Sequence, residues 1–302
     1  MHDQSHGHRV AARRPLKIAL GITLAYLFAE VVGGLLTHSL ALLADAGHML
    51  TDVASLGLAL FAMWIAARPA PAEKTYGYYR TEILAALANG TSLILIAVLI
   101  FYEAAKRIGE PPEINSLPML LVATFGLGAN LLSAYVLFHS RESSLNLRGA
   151  FLHVLADTLG SVGAILAGLI MLTTGWYLAD PLISIGIGLL ILFSSWNLVR
   201  ESVDVLMEAV PASIDLGTLA YTVEADPQVA NIHDLHVWTV SSGFYALSAH
   251  VVVNDGCRDV TASQALLERL QATLHSRFGV EHSTLQLEWT DLEDWCEQGA
   301  GK

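Results

Sequence analysis

His48-Met-Leu-Thr-Asp52 and His153-Val-Leu-Ala-Asp157 each place an imidazole four residues before a carboxylate, inside apolar runs of the chain. Residues four apart on an α-helix lie on the same face, about one turn from each other. Each phrase therefore offers one nitrogen and one oxygen to one side of a helix. If the two helices pack side by side, these groups predict a tetrahedral site for a divalent ion, with zinc favoured.

Composition indicates that both phrases lie in a membrane. The chain has 302 residues, of which 54% are hydrophobic and 15% charged, and its mean hydropathy is +0.51. This is too apolar for an ordinary soluble protein. An ionisable group at the centre of a bilayer costs roughly 2.5 to 3.5 kcal/mol, so it indicates a functional site. A single His or Asp can be a hydrogen-bonded core residue, but two copies of one spacing favour metal binding.

Six apolar segments are long enough to cross a bilayer, which needs about 20 residues each. Basic residues in the short flanks orient them, because Lys and Arg are enriched on the cytoplasmic side. With both termini in the cytoplasm, only Lys106 and Arg107 flank the spans on the other side. The predicted spans are 16–37, 40–66, 82–104, 116–138, 149–173 and 179–199. The basic residues on the cytoplasmic side are Arg9, Arg13, Arg14, Lys17, Arg68, Lys74, Arg80, Arg141, Arg148 and Arg200.

The negative charge is confined to the last third of the chain. Residues 1–200 hold 12 Lys/Arg and 12 Asp/Glu, whereas residues 201–302 hold 4 and 16. An acidic, water-soluble part therefore follows the membrane part. Its negative charge argues against a nucleic acid partner and favours a cation as the partner. The predicted division is a cytoplasmic His-containing segment 1–15, a membrane domain 16–208, a cytoplasmic domain 209–291 and a tail 292–302.

The soluble part changes to a mixed pattern of helices and strands. A helix over 213–225 precedes an alternating strand over 229–240 with an irregularity near Asp234, a turn over 241–243 and a strand over 245–253. A helix over 261–278 and a strand over 283–289 complete an αββαβ order, which is an α+β fold. Cys257 and Cys296 indicate neither a disulfide framework nor a Cys-x-x-Cys zinc site.

The soluble part has metal-ligand candidates of its own, which lie on or next to these strands. Strand parity decides which of them share a face, and the sequence alone leaves that question open. The candidates are His233, His236, His250, His282 and Glu288.

Five phrases taken in order resemble the cation diffusion facilitators, a family of zinc-exporting membrane transporters, and the resemblance covers about 16–291. They are Ala44-Asp-Ala-Gly-His-Met-Leu-Thr-Asp52, Tyr76-Gly-Tyr-Tyr-Arg-Thr-Glu82, His153-Val-Leu-Ala-Asp157, His233-Asp-Leu-His-Val-Trp238 and Leu247-Ser-Ala-His250.

The resemblance implies a homodimer of six-helix protomers, each with a ferredoxin-like or metallochaperone-like cytoplasmic domain. The short, compact loops favour a bacterial inner membrane. It implies export of Zn²⁺, and of Cd²⁺ as well, in exchange for protons. By motif match, the transport site is assigned to His48, Asp52, His153 and Asp157. Zinc in the cytoplasmic domain is assigned to His233, His250, His282 and Glu288.

Two other classes of function compete with transport. A zinc enzyme in the membrane would need an open coordination position and a base, for which Asp45 is a candidate. However, no His-Glu-x-x-His phrase occurs, and four matched ligands leave no open position. A metal sensor acting through the acidic domain is the other alternative. We therefore predict a transporter and not an enzyme.

Overall fold

The computed structural model describes residues 3–37, 40–109, 116–254 and 259–289. Within these ranges the side chains of some helical residues, Asp45 and His48 among them, fall outside the description. The chain divides into an N-terminal unit, Met1–Val203, and a C-terminal unit, Asp204–Lys302. The helices that begin in the N-terminal unit are α1 (Asp3–Thr37), α2 (Leu40–Ala66), α3 (Thr81–Gly109), α4 (Ser116–Phe138), α5 (Leu145–Thr174) and α6 (Ala179–Leu206).

Local capping explains where helix α5 begins and ends. The sequence predicted a start at 149, but the helix begins at Leu145. The hydroxyl of Ser144 accepts a hydrogen bond from the backbone N–H of Leu147 at 3.1 Å, which satisfies one of the open donors of the first turn. At the other end Gly175 adopts φ 67° and donates its N–H to Met171, a left-handed cap that glycine adopts without strain. Helix α1 likewise begins early, at Asp3, and contains Pro15.

Apolar surface and length identify membrane-crossing helices. Among the residues whose side chains are described, three helices are long and apolar enough to cross a membrane, over 81–108, 145–174 and 179–206. The described parts of α2 and α4, Asp52–Ala66 and Thr124–Phe138, are shorter apolar helices. Large apolar side chains such as Phe28 and Phe193, each 71% exposed, lie on the outside of this unit. Such a surface suits lipid rather than water.

Helices α2 and α5 share a buried apolar layer. Leu56, Ala59 and Ala150 are fully buried and belong to one cluster with residues of α1 and α4. Next to this layer, the buried side chain of Asn146 donates a hydrogen bond from Nδ2 to the backbone oxygen of Ala59 at 2.8 Å. The two helices are therefore joined by packing and by one polar contact.

The C-terminal unit has the predicted αββαβ order, which is confirmed. Its central strand pairs antiparallel with the first strand and parallel with the last, and the two helices cover an apolar core that lies entirely within this unit. The elements are α7 (Leu216–Glu224), β1 (Val229–Ser241), β2 (Phe244–Val253), α8 (Val260–Phe278) and β3 (Val280–Glu288). The sheet order is β1-β2-β3.

A β-bulge interrupts strand β1 where the sequence predicted an irregularity, so that prediction is confirmed. His233 pairs with His250 and His236 pairs with Ser248, so two residues of β1 face one residue of β2. Asp234, inside the bulge, has φ 50°. A non-glycine residue in this region is uncommon and is enriched at functional sites.

Two aspartates of this unit have lowered pKa values. The side chain and backbone N–H of Thr218 donate hydrogen bonds to Asp215 at the start of α7, and these lower the pKa of its carboxyl. Partial burial raises the pKa of Asp226. However, hydrogen bonds from Arg269 and from the Gln228 amide, together with the guanidinium charge, outweigh burial and lower it on balance. Both carboxylates therefore stabilise the folded unit in their ionised form.

Candidate metal centres

The first group of ligand-type side chains joins helices α2 and α5. Asp52 from α2 lies opposite His153 and Asp157 from α5, and their ligand atoms all lie within 4.8 Å of one another. His153 Nε2 is 3.2 Å from Asp52 Oδ1 and 3.9 Å from Asp157 Oδ2. His153 and Asp52 are only 2% and 4% exposed. The structure thus brings together three of the four residues that the repeated phrases suggested.

These distances fit a small divalent cation. Zinc binds nitrogen and oxygen ligands at about 2.0 to 2.2 Å, so two ligands of a tetrahedral site lie roughly 3.4 Å apart. The two distances from His153 Nε2 lie on either side of that value. Two carboxylates in a buried place repel each other unless a proton or a cation compensates them. The cluster therefore has the donor atoms and the negative charge that a metal ion needs.

His48, the fourth residue of the predicted transport site, is on helix α2, but its side chain falls outside the description. The same holds for Asp45. Asp52 is four residues after His48 on that helix, so one face carries both Cα positions. Ligation by His48 stays a prediction.

Small residues follow each carboxylate in the sequence, Gly57 after Asp52 and Gly160 and Gly163 after Asp157. Small side chains let two membrane helices approach closely, so this pattern predicts that the three glycines lie between α2 and α5. A Cβ added at Gly57 or Gly160 would meet nothing within 4 Å. At Gly163 it would lie 2.3 Å from the side chain of Ile187 on α6. The expectation was wrong for these glycines, because the rotation of α5 turns Gly163 toward α6 instead of α2.

The second group lies in the C-terminal unit and consists of His233, His250 and Glu288, with ligand atoms within 4.8 Å of one another. His233 Nε2 is 3.1 Å from Glu288 Oε2, and His250 Nδ1 is 2.9 Å from Glu288 Oε1. Antiparallel pairing places the two imidazoles side by side, with ring centroids 5.2 Å apart. Two imidazoles and a buried carboxylate match the donor set of zinc sites.

Neighbouring polar residues orient this second group, and the sequence analysis had not singled them out for that role. Gln286, two residues before Glu288 on the same face of β3, donates a hydrogen bond from Nε2 to Glu288 Oε1 at 2.8 Å. On the other side, Asp234 Oδ2 lies 3.8 Å from His250 Nε2. Asp234 also contacts exposed His236 at 2.9 Å. Strand alternation was the signal that could have identified Gln286.

His282 was predicted as a further ligand, and the structure does not place it in the group of His233, His250 and Glu288. It lies on strand β3 opposite Ala246, while Glu288 lies opposite Val252. Six residues of a strand span roughly 20 Å, so His282 and Glu288 of one protomer do not bind one ion. A role for His282 stays a prediction that needs a second ion or a second protomer.

Comparison with known proteins assigns this chain to a protein family. Residues 16–207 match the cation efflux transmembrane domain, and residues 211–289 match the cytoplasmic domain of cation efflux proteins. A cadmium, cobalt and zinc/H(+)-K(+) antiporter of Bacillus velezensis is 42% identical and aligns over 94% of this chain and 91% of that protein. The zinc transporter ZitB of Escherichia coli is 43% identical, over 95% and 91%.

A third relative is the metal cation efflux system protein CzcD of Cupriavidus metallidurans, which is 45% identical over 96% of this chain and 90% of that protein. A solved structure of the metal-bound C-terminal domain of the CzcD transporter is 33% identical to this chain. The match covers 25% of this chain and 99% of the solved one, with a TM-score of 0.23.

The fold and the buried cluster define a helical multi-pass membrane protein with ligand-type groups inside its membrane unit. The chain belongs to the cation efflux family, the cation diffusion facilitators, and is a transporter and not an enzyme. The predicted family is thus confirmed, and the alternative of a membrane-embedded metalloenzyme is set aside.

Proposed function

We propose that the protein exports Zn²⁺, and Cd²⁺ as well, from the cytoplasm in exchange for protons. In this proposal all six helices α1–α6 cross a bacterial inner membrane, with both termini in the cytoplasm. The cation binds to His48, Asp52, His153 and Asp157, and the site opens alternately to the two sides of the membrane. The observation that carries the proposal is the buried contact of Asp52 with His153 across two helices, with Asp157 within reach of both.

Three further observations support the choice of a divalent cation. The cluster combines imidazole and carboxylate donors without a thiolate, a set that suits zinc. The name of a relative that is 42% identical refers to cadmium, cobalt and zinc, and the name of one that is 43% identical refers to zinc. An acidic chain with a net charge of −12 also attracts cations.

Proton exchange follows from the chemistry of the ligands. A carboxylate or imidazole must lose its proton before it can bind a metal ion, so the two cations compete for the same atoms. Imidazole has an unperturbed pKa of about 6.5, which allows it to exchange a proton near neutral pH. When the site faces the outside, protons that displace zinc from His153 and the two carboxylates complete one half of the cycle.

The C-terminal unit supports a second role for zinc. We infer that His233, His250 and Glu288 hold one ion there, and that two copies of this unit form a homodimer. The grouping of these three ligand-type side chains supports the first statement, and a match over 211–289 to the dimer-type cytoplasmic domain of cation efflux proteins supports the second. In this proposal His282 contributes from a neighbouring protomer or to a further ion.

The test is zinc-dependent proton flux in proteoliposomes that contain the purified protein and a pH-sensitive dye inside. Asp157→Ala should abolish the flux, because the cluster loses one of its two carboxylates. Asp180→Ala is the matched control, since Asp180 is an acidic residue of α6 that pairs with Arg107 at 2.9 Å, outside the cluster. We expect this control to keep at least a large part of the flux.

Flux at the normal rate in Asp157→Ala would refute the transport site. Zinc uptake by the unsubstituted protein without any movement of protons would refute antiport and leave export. Repeating the assay with Cd²⁺ tests the second ion in the same vesicles.

A further inference from the structure

Asn146 is a buried polar residue that the transport cycle described above does not use. It is the second residue of α5 and is 0% exposed. Its Nδ2 donates a hydrogen bond of 2.8 Å to the backbone oxygen of Ala59 on α2. Its Oδ1 is also buried and, within the described part of the chain, has no hydrogen-bond partner.

The position of this contact relates directly to the first metal centre. Asn146 lies seven residues before His153 on α5, and Ala59 lies seven residues after Asp52 on α2. Seven residues are about two helical turns, or roughly 10.5 Å. The two helices run antiparallel here, so their interface carries two polar contacts, Asp52 with His153 and Ala59 with Asn146, with an apolar layer between them.

An asparagine at this place is a poor choice for stability alone. One of its polar atoms is buried without a partner in the described part of the chain, and a buried unsatisfied acceptor destabilises the state that contains it. A leucine, which has the same number of side-chain heavy atoms, would avoid that penalty. Single buried asparagines in helix interfaces are known to select one register of the two helices at the expense of stability.

We propose that Asn146 is a positioning residue that sets the axial register and spacing of α2 against α5, and thereby the size of the cation site at Asp52 and His153. Its single hydrogen bond requires the Ala59 carbonyl opposite it. A slip or rotation of either helix breaks that bond and moves Asp52 away from His153 at the same time. This inference rests on the proposed function of the site.

The expected consequence is discrimination between ions by size. Zinc requires short ligand distances, which only a close and well-aligned pair of helices provides. Cadmium is the larger ion and tolerates a wider site. Loss of the Asn146 contact should therefore weaken zinc binding more than cadmium binding.

The test compares full-length protein in detergent, in a common background of His250→Ala and Glu288→Ala that removes the second centre. Asn146→Leu keeps the branching at Cγ and removes the amide, and Asn146→Asp keeps the shape and removes the N–H donor. Calorimetric titration with Zn²⁺ and separately with Cd²⁺ gives the two dissociation constants. Thermal unfolding gives the stability of each protein.

For Asn146→Leu we expect a melting temperature equal to or above that of the parent. The zinc Kd should rise roughly tenfold or more, the usual effect of losing a residue that orients metal ligands, and the cadmium Kd should rise by a clearly smaller factor. Asn146→Asp should show the same loss of zinc preference. In transport assays the KM for zinc should rise with little change in kcat.

Asn89→Leu is the matched control, because Asn89 is also a buried amide with a partnerless Nδ2 in the described part of the chain, but it lies on α3. It should leave the ratio of the two dissociation constants unchanged. An unchanged zinc Kd in Asn146→Leu, an equal rise for both ions, or the same change in Asn89→Leu would overturn the inference. A lower melting temperature with the zinc preference unchanged would also overturn it, because it would indicate a plain stabilising role.

The two proposals fail in different ways. If the parent binds no zinc that depends on Asp52, the proposed function is rejected, and this inference with it. If the parent binds and transports zinc while Asn146→Leu keeps its zinc preference, only the inference is rejected.

Discussion

Replacing Glu288 by glutamine tests the second metal centre most directly. Glu288 is 4% exposed and contacts His233 at 3.1 Å and His250 at 2.9 Å. Glutamine has the same shape, and its amide can still form hydrogen bonds to neutral imidazoles. It cannot supply the negative charge or the anionic oxygen that zinc requires. The metal-free unit should therefore change little, and zinc binding should be lost.

The size of the zinc-dependent thermal shift, and of its loss in Glu288→Gln, follows from mass action. A ligand present at 100 times its Kd stabilises the folded state by about 2.7 kcal/mol. If the loss of one charged ligand raises the Kd of the variant a hundredfold, the same zinc concentration is only equal to that Kd. Zinc then stabilises the folded variant by only about 0.4 kcal/mol. At about 4 to 8 °C per kcal/mol for a domain of this size, a thermal shift of roughly 11 to 22 °C falls to roughly 2 to 3 °C.

The assay is thermal unfolding of the fragment 204–289 with and without zinc. This fragment contains the whole of its own hydrophobic core, from Ile214 to Val280. Glu281→Gln is the matched control, since Glu281 is on the same strand and its side chain is 39% exposed. We expect the control to keep the full shift. A full shift in Glu288→Gln, or an equal loss in the control, would refute the ligand assignment.

Two further predictions concern stability. Asp226→Asn should lower the free energy of unfolding of the C-terminal unit at pH 7 by no more than about 1 kcal/mol, because its partner Arg269 is 49% exposed. Because the folded-state pKa of Asp226 lies below the unfolded value of about 3.9, its ionised carboxyl stabilises the unit fully above that value. In denaturant titrations the difference between wild type and variant should therefore shrink below that pH and vanish as the pH falls through the folded-state pKa. Gly188→Ala should destabilise the membrane unit by about 1 to 3 kcal/mol in detergent, because the new Cβ would lie 2.7 Å from the ring of Phe101. Gly186→Ala, where a Cβ meets nothing within 4 Å, should unfold at or slightly above the wild-type temperature, because alanine favours the helix more than glycine does.

The sequence by itself determined the element types and the candidate ligands. Long apolar runs, alternation in the strands and turn residues are local signals, so the helical unit and the αββαβ order were predictable. The spacing of four residues placed Asp157 on the face of His153, because helical geometry is a local property. Helix α5 begins earlier than predicted because the cap at Ser144 is a short-range contact that hydropathy does not register.

Only the tertiary structure decided which of these groups meet. Glu288 joins His233 and His250, whereas His282 on the same strand lies too far along it, because strand register places only some residues together. The rotation of α5 directs Gly163 toward α6 and brings Asn146 to Ala59, because the packing of whole helices sets that rotation. The chemical groups are thus encoded locally, and their distances arise from the register of strands and helices, which depends on all the contacts of the core together.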